Sequence, residues 1–258
     1  VNNLTAQPLS SATIAALGRM IHDSDGTVRM AVVGAFQRQD MSADLLSTIS
    51  GMVVEPFAAV DVRSQLIYIV TAKLINLGQN SDEKAIAPYL AVLEKAASTE
   101  SSRLRREAGN HLVSASLKIP SIATTLERVL KKAPSEEFGA IVSNMQQDPN
   151  KWELVERIVK DGLNSRDTAD RLLSLRLLRA TSVMPPPATI ASALDDSDRR
   201  VKLWATACWE RSFGPLVGAT SLYMDALDGP SEEDRSIALE SLPQHTVNSG
   251  AIIAPKLI

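Results

Sequence analysis

One heptapeptide pattern occurs twice in this chain, as DSDGTVR at residues 23–29 and as DSDRRVK at residues 196–202. Each copy has two aspartates around a serine, then two further residues, a valine and a base. Each copy continues into an apolar stretch, MAVVGAF in the first case and LWATACW in the second. The copies begin 173 residues apart, which is close to five periods of about 35 residues. The pattern therefore predicts that the chain is built from repeats of this length.

Weaker copies of the pattern lie between the two strong ones. The base of the pattern recurs at intervals of 34, 42, 66, 31 and 33 residues, at Arg29, Arg63, Arg105, Arg171, Lys202 and Arg235. The interval of 66 is two periods, so a degenerate copy is expected between Arg105 and Arg171. A stretch that fits begins at Ser135-Glu136-Glu137-Phe138.

Prolines and apolar periodicity indicate what each repeat contains. Prolines recur at residues 56, 88 and 120, and again at 187, 215 and 243. Because proline fits the first turn of a helix and breaks helix interiors, this spacing predicts regular helix boundaries. Apolar residues between these marks follow a period of 3.6, without sustained two-residue alternation. Residues 62–77 are rich in β-branched side chains but too long for a typical strand, so we predict a buried helix there.

The repeating unit is expected to be a first helix, a short turn, a second helix and a loop. About seven such pairs fit the chain, with first helices starting near residues 11, 42, 85, 121, 150, 187 and 215. One pair cannot bury its own apolar face, whereas stacked pairs share a continuous core. The sequence therefore predicts an all-α fold, a right-handed α-solenoid of about seven antiparallel helix pairs in a single repeat domain over residues 1–258.

The second helix of each pair resembles the second helix of HEAT repeats, which looks like D-x-x-x-x-V-R-x-x-A-x-x-A-L. The first strong copy matches it with Asp23, Val28, Arg29, Val32, Ala35 and Phe36. The second matches it with Asp196, Val201, Lys202, Ala205, Cys208 and Trp209. The copies at Arg63 and Arg105 lack the aspartate, and those at Arg171 and Arg235 have Asp170 and Asp234 in place of valine. The resemblance implies a HEAT-like, armadillo-type solenoid of helix pairs of about 40 residues.

The spacing from aspartate to base has a structural interpretation. An aspartate in the turn can cap the second helix, and a base in the first turn of that helix can reach the aspartate of a neighbouring turn. We therefore expect a ladder that joins the repeats through Asp23, Arg29, Asp196 and Lys202. Exposed pairs of this kind contribute about 0–1 kcal/mol each.

Composition limits the functions that the chain can have. Its 258 residues include 27 Lys plus Arg and 30 Asp plus Glu, a formal net charge of −3 that argues against a nucleic-acid-binding chain. Its longest apolar runs are far shorter than the roughly 20 residues that a bilayer span needs. Cys208 is the only cysteine, which excludes an internal disulfide and a cysteine-rich zinc site. It is expected to be a small core residue.

No catalytic motif is present in the sequence. The chain lacks G-x-S-x-G, HExxH, a Walker A loop and CxxC. Its three histidines, His22, His111 and His245, are far apart, and His111 is expected to be a partly buried residue of a second helix. We therefore expect no enzymatic activity, no metal site and no cofactor.

The second helices of a solenoid line its inner surface, which is the usual binding face. In the HEAT-like register the uncovered positions are Gln37, Arg38, Tyr68, Arg106, Asn110, Arg176, Arg179, Trp204 and Arg211. Tyrosine, tryptophan and arginine are enriched at the centres of protein interfaces. The sequence thus predicts a protein–protein interaction scaffold, which binds a protein partner or another region of its parent chain through seven of these residues: Tyr68, Arg106, Asn110, Arg176, Arg179, Trp204 and Arg211. The alternative is an ordinary solvated surface with Trp204 packed on the next repeat.

Two other functions stay open at this point. Arginines cluster at residues 103–106, 166–179 and 199–202 and could form a basic stripe along a phosphate backbone, although acidic residues are interleaved with them. HEAT-like DNA glycosylases hold DNA on such a face, so a nucleic-acid-binding or repair solenoid is the second reading. The third is a lyase that acts on a bulky cofactor, as the HEAT-like bilin lyases do with tetrapyrroles.

The ends of the chain lead to three further expectations. The tail AIIAPKLI at residues 251–258 is apolar and would leave a solenoid uncapped. We therefore expect the chain to be part of a longer protein, or to self-associate through this end. No signal-peptide pattern follows Val1, so a cytoplasmic location is expected.

Overall fold

The computed structural model describes residues 8–78, 81–146, 148–181 and 187–242. Within these residues all regular structure is helical, with fourteen α-helices, two short 3-10 helices and no strand. The predicted all-α fold is confirmed. Pro243, His245 and the tail at residues 251–258 lie outside the described residues, so the expected self-association through the tail stays a prediction.

The chain divides into two compact units, Val1–Asn144 and Met145–Ile258. Unit 1 contains α1 (Ser11–Arg19), α2 (Gly26–Gln37), α3 (Ala43–Val54), α4 (Val60–Leu77), α5 (Glu83–Ala96), α6 (Ser102–Lys118), α7 (Ala123–Lys132) and most of α8 (Ser135–Gln146). Its 3-10 helices are Met20–His22 and Pro120–Ile122. Unit 2 contains α9 (Pro149–Leu163), α10 (Thr168–Ala180), α11 (Pro187–Leu194), α12 (Arg199–Phe213), α13 (Ala219–Leu227) and α14 (Glu232–Ser241).

Helix contacts follow the same rule inside each unit. In unit 1, odd-numbered helices pack in the order α1, α3, α5 and α7, and even-numbered helices in the order α2, α4 and α6. In unit 2, α9 packs on α11, and α10, α12 and α14 pack in order. Consecutive helices also contact each other, as α4 and α5 or α11 and α12 do.

Apolar residues spaced by three and four place the core between these helices. The segment predicted as a buried helix is α4, and its Val62, Leu66, Ile67, Val70 and Leu74 are fully buried. Helix α4 contacts α2, α3, α5 and α6, which explains why its β-branched residues are tolerated in a helix. Burial on several sides stabilises these side chains more than their weak helix propensity destabilises them.

Short polar side chains determine where many helices begin. Ser10, Ser42, Ser101 and Ser231 cap α1, α3, α6 and α14, each by accepting a hydrogen bond from a backbone N–H in the first turn. Aspartates do the same for α2, α5, α10 and α12, namely Asp25, Asp82, Asp167 and Asp198. The predicted starts of the odd-numbered helices lie within four residues of the observed ones, and three of these helices, α1, α3 and α5, have such a cap.

Three prolines do not mark helix starts as expected. Pro56 lies in the loop before α4, which begins four residues later at Val60. Pro88 lies inside α5, where it is exposed, so the backbone carbonyl it leaves unpaired is close to solvent. Pro215 lies in the loop before α13. That helix begins at Ala219 instead, because Gly218 adopts a left-handed conformation with φ of 86° just before it.

Candidate functional site

The second strong copy of the heptapeptide connects two helix pairs of unit 2. Asp196 Oδ1 accepts a hydrogen bond of 2.8 Å from the N–H of Asp198, and Asp198 caps α12. Arg171 of α10 donates from Nε to Asp196 Oδ2 at 2.7 Å and from Nη2 to Oδ1 at 3.1 Å. Burial acts to raise the pKa of Asp196, but the hydrogen bonds from Arg171 and Asp198 outweigh it, and the pKa lies below its ordinary value.

The first strong copy holds only its own turn together. Asp25 caps α2, and Asp23 Oδ1 accepts from the N–H of Asp25 at 2.8 Å. Arg29 Nη1 donates to the backbone carbonyls of Asp23 at 2.7 Å and Ser24 at 3.1 Å. In both copies the second aspartate is therefore the cap, whereas the sequence left the choice open. The base that pairs with Asp196 is Arg171 and not Lys202 of the same heptapeptide.

Arg105 and Arg171, which occupy the base position of the repeat pattern, bond to carbonyls of the preceding turn and also form an ion pair with another helix pair. Arg105 Nη1 donates to the carbonyls of Thr99 and Glu100, six and five residues earlier, and the same side chain pairs with Glu137 of α8. Arg171 repeats this arrangement with the carbonyls of Ser165 and Arg166. Ion pairs between successive helix pairs thus occur in both units, as Arg63–Glu100, Arg105–Glu137, Arg171–Asp196 and Arg200–Asp234.

The structure brings three of the predicted partner-binding residues together in unit 1. Tyr68 of α4 is 52% exposed, and its ring lies edge-on to the ring of His111, with centroids 6.2 Å apart. Arg106 and Asn110 are half-buried on α6, the helix that carries His111. We call the non-buried stripe of α2, α4 and α6 that includes Arg38, Tyr68, Arg106 and Asn110 the unit 1 surface.

Several polar groups of the unit 1 surface have no partner in the described part of the chain. Arg106 forms no ion pair there, and the Asn110 Oδ1 and Ser64 Oγ atoms are buried without a hydrogen bond. Burial lowers the pKa of His111 below its ordinary value, against a smaller opposing effect of Glu107. His111 is therefore neutral at pH 7 and supports the exposed face of Tyr68 without adding charge.

In unit 2, two predicted surface residues are instead buried. Trp204 is 7% exposed, and its Nε1 donates to Asp234 Oδ1 at 3.0 Å. Arg176 is 9% exposed, and its Nη2 donates to Glu233 Oε1 at 2.8 Å. The expectation that these two side chains are uncovered is wrong, because α14 places its acidic first turn against them. The sequence alternative, in which Trp204 packs on the next repeat, describes the observed arrangement.

The remaining two predicted residues of unit 2 belong to the same network. Arg179 is paired with Glu240 of α14, and Arg211 donates to the backbone carbonyl of Arg179 while staying exposed. Sequence reasoning missed the acids of α14 as their partners. The sequence contained a signal for these partners. Asp234 stands where the repeat pattern has valine, and it follows two further acids, Glu232 and Glu233.

The arginine clusters are largely neutralised by carboxylates. Arg103 pairs with Glu107 at 2.9 Å within α6, Arg199 pairs with Asp225, and Arg200 donates to Asp234 at 2.7 Å. Because each of these arginines faces a carboxylate, they do not form the unbroken row of positive charge that a long phosphate backbone follows. The arrangement therefore argues against a continuous basic stripe on either unit.

The described residues contain little else that could perform chemistry. No group of three or more His, Cys, Asp or Glu side chains is arranged there to hold a metal ion. The Cys208 thiol is buried, which raises its pKa to about 12, so it is not a reactive thiolate. No helix in the described ranges is both long and apolar enough to cross a membrane.

Comparisons with known proteins add no assignment to this geometry. No protein-family model and no curated protein matches the sequence. The resemblance to HEAT repeats therefore depends on the residues of the chain itself, above all on the two heptapeptides and the helices that follow them.

Proposed function

We propose that each unit is a stack of HEAT-like helix pairs, in the manner of an α-solenoid. Support comes from the pattern of helix contacts: first helices pack on first helices, and second helices pack on second helices. The arginine–carboxylate pairs between successive helix pairs point the same way. The total of seven pairs and the right-handed superhelix stay predictions.

The function that this geometry supports best is a non-enzymatic protein-interaction scaffold that binds its partner through the unit 1 surface. The observation that carries the proposal is Tyr68, a half-exposed aromatic side chain held edge-on against His111. A large aromatic residue that is already ordered loses little conformational entropy when a partner covers it. Arg38 and Arg106 of the same surface form no ion pair in the described part of the chain.

The predicted unit 2 residues contribute to stability rather than to binding in this proposal. Arg176, Arg179 and Trp204 already pair with Glu233, Glu240 and Asp234. A partner would have to replace these internal bonds before it gained any of its own. Binding energy is therefore expected from unit 1.

A capture experiment with the full chain tests the proposal. The immobilised protein is exposed to lysate of its native host, with and without nuclease, and the captured proteins are compared for wild type, Tyr68→Ala and Arg106→Glu. Lys160→Glu, an exposed charge reversal on α9, is the matched control. We expect one partner that survives nuclease and the control change but binds at least about tenfold more weakly to the two surface variants.

Three outcomes of this experiment distinguish a protein scaffold from a nucleic-acid-binding protein. Equal capture by Tyr68→Ala, Arg106→Glu and wild type would show that the unit 1 surface is the wrong one. Loss of all capture after nuclease would favour the nucleic-acid reading. Captured partners that differ only in the two surface variants would support the scaffold reading and identify the protein for affinity measurements.

A further inference from the structure

Unit 2 contains a cleft of about 310 Å³ between α12, α13 and the turn that leads into α14. Its apolar lining is formed by Leu203, Leu222 and Ala226, of which Leu203 is buried. Arg199, Arg200, Asp225 and Asp234 provide its charged lining. The volume is at the lower end of the range for small-molecule sites, so the cleft has room for a short apolar ligand.

The four charged residues of the cleft are not equally available to a ligand. Asp234 is buried and accepts bonds from Arg200 Nε at 2.7 Å, Arg200 Nη2 at 3.3 Å and Trp204 Nε1 at 3.0 Å. The Asp234 carboxylate thus already accepts three hydrogen bonds within the protein. Among the described residues Asp225 pairs only with Arg199, and the two side chains are 58% and 61% exposed.

The hydrogen-bonding capacity that remains consists mainly of donors. Arg199 uses Nη2 for Asp225, and Arg200 uses Nε and Nη2 for Asp234 and Ser231. The Nε and Nη1 groups of Arg199 and the Nη1 group of Arg200 form no hydrogen bond in the described part of unit 2. Arg199 and Arg200, which both line the cleft, therefore each offer positively charged N–H donors to a ligand there.

We propose that this cleft binds a small aliphatic carboxylate, with its hydrocarbon chain against Leu203, Leu222 and Ala226 and its carboxylate on Arg199 and Arg200. The planar donor fork of arginine matches a carboxylate geometrically. The ligand does not need to displace Asp225, because its carboxylate can accept from the Nε and Nη1 groups of Arg199 and the Nη1 group of Arg200. This site is separate from the unit 1 surface and does not depend on the proposed scaffold function.

Calorimetric titration of the full chain with octanoate tests the proposal, with 1-octanol and acetate as comparison ligands. The alcohol keeps the chain but lacks the charge, and acetate keeps the charge but lacks the chain. We expect octanoate to bind at least about tenfold more tightly than either, because hydrogen bonds to a charged group and burial of the chain both contribute. Equal binding of octanoate and octanol, or no binding of octanoate at millimolar concentration, would overturn the proposal.

Two variants locate the site without touching the saturated Asp234. Arg199→Gln removes one guanidinium and is expected to weaken octanoate binding about fivefold to tenfold, whereas Arg166→Gln, an exposed arginine before α10, leaves it unchanged. Ala226→Leu adds volume inside the cleft and is expected to abolish binding while the circular dichroism spectrum stays that of wild type. Octanoate that binds Arg199→Gln and Ala226→Leu as tightly as wild type would place it elsewhere.

Discussion

Tyr68 in unit 1 and Trp204 in unit 2 each lie on the second helix of a pair, and the sequence pattern predicts both to be uncovered. Tyr68 is 52% exposed and Trp204 only 7% exposed. The difference comes from the neighbouring even helix. Helix α6 presents His111 to Tyr68, whereas α14 presents Asp234 and Glu233 to Trp204 and Arg176.

The comparison shows that a position in a repeat does not determine the exposure of its side chain. Trp204 is internal because the next second helix, α14, carries Asp234 in its first turn, and Arg176 of α10 pairs with Glu233 of the same turn. Tyr68 stays available to a partner because α6 places the neutral ring of His111 beside it. Three changes test this contrast between the two units.

The largest effect is expected for Trp204→Ala in unit 2. Truncation of a buried tryptophan leaves a cavity and removes the donor to Asp234, so we expect a loss of about 3–5 kcal/mol in the free energy of unfolding. Urea denaturation followed by circular dichroism measures the change. Trp204→Phe keeps most of the volume and should cost about 1–3 kcal/mol. A loss below about 1 kcal/mol for Trp204→Ala would mean that unit 2 is as open as unit 1.

An intermediate effect is expected for Glu137→Gln, which removes the acid of an inter-pair ion pair in unit 1. Burial acts to raise the pKa of Glu137, but hydrogen bonds from Arg105, its own backbone and Ser102 outweigh it, so the pKa lies below its ordinary value. A depressed carboxyl pKa stabilises the fold above the ordinary value, and the stabilisation disappears as the pH falls through the lowered value.

Urea denaturation of both proteins as a function of pH measures this effect. At pH 7 we expect Glu137→Gln to be less stable than wild type by about 1–3 kcal/mol. As the pH falls through the lowered pKa of Glu137, the two free energies of unfolding should converge, because the wild-type carboxyl becomes protonated. A difference that does not shrink as the pH is lowered through the acid range would show that the ion pair with Arg105 contributes nothing.

The smallest effect is expected for Tyr68→Ala, which should lower the free energy of unfolding by at most about 1 kcal/mol. The reason is that half of the Tyr68 side chain is already in solvent. The same change uncovers His111. Because burial lowers the pKa of His111, its removal should raise that pKa toward the ordinary value, which an NMR titration of the imidazole resonances measures. An unchanged pKa would indicate that other residues bury the ring.

Much of the helical framework is predictable from particular residues. Ser10, Ser42 and Ser101 are caps that local sequence reveals, and the period of 3.6 residues in α4 follows from Val62, Leu66 and Ile69 alone. These signals are local, because a cap bonds to the N–H two or three residues later. The helix starts could therefore be inferred without knowledge of the neighbouring helices.

The partners of the charged residues could not be inferred in the same way. Arg171 pairs with Asp196 across 25 residues, and Arg176 pairs with Glu233 across 57. The unexpected interior position of Pro88 has a similar origin, because the exposed side of α5 tolerates a proline that a buried helix would not.

The amino-acid sequence alone indicates that this protein is helical, where the odd-numbered helices begin to within four residues, and that a helix follows each of its two heptapeptides. The packing of the helices, in contrast, sets which of the candidate binding residues are exposed. The reason is physical: helix formation and capping depend on atoms within one turn, whereas the exposure of a side chain depends on what the adjacent helix places against it. Tyr68 and Trp204 differ for that reason, and the unit 1 surface follows from it.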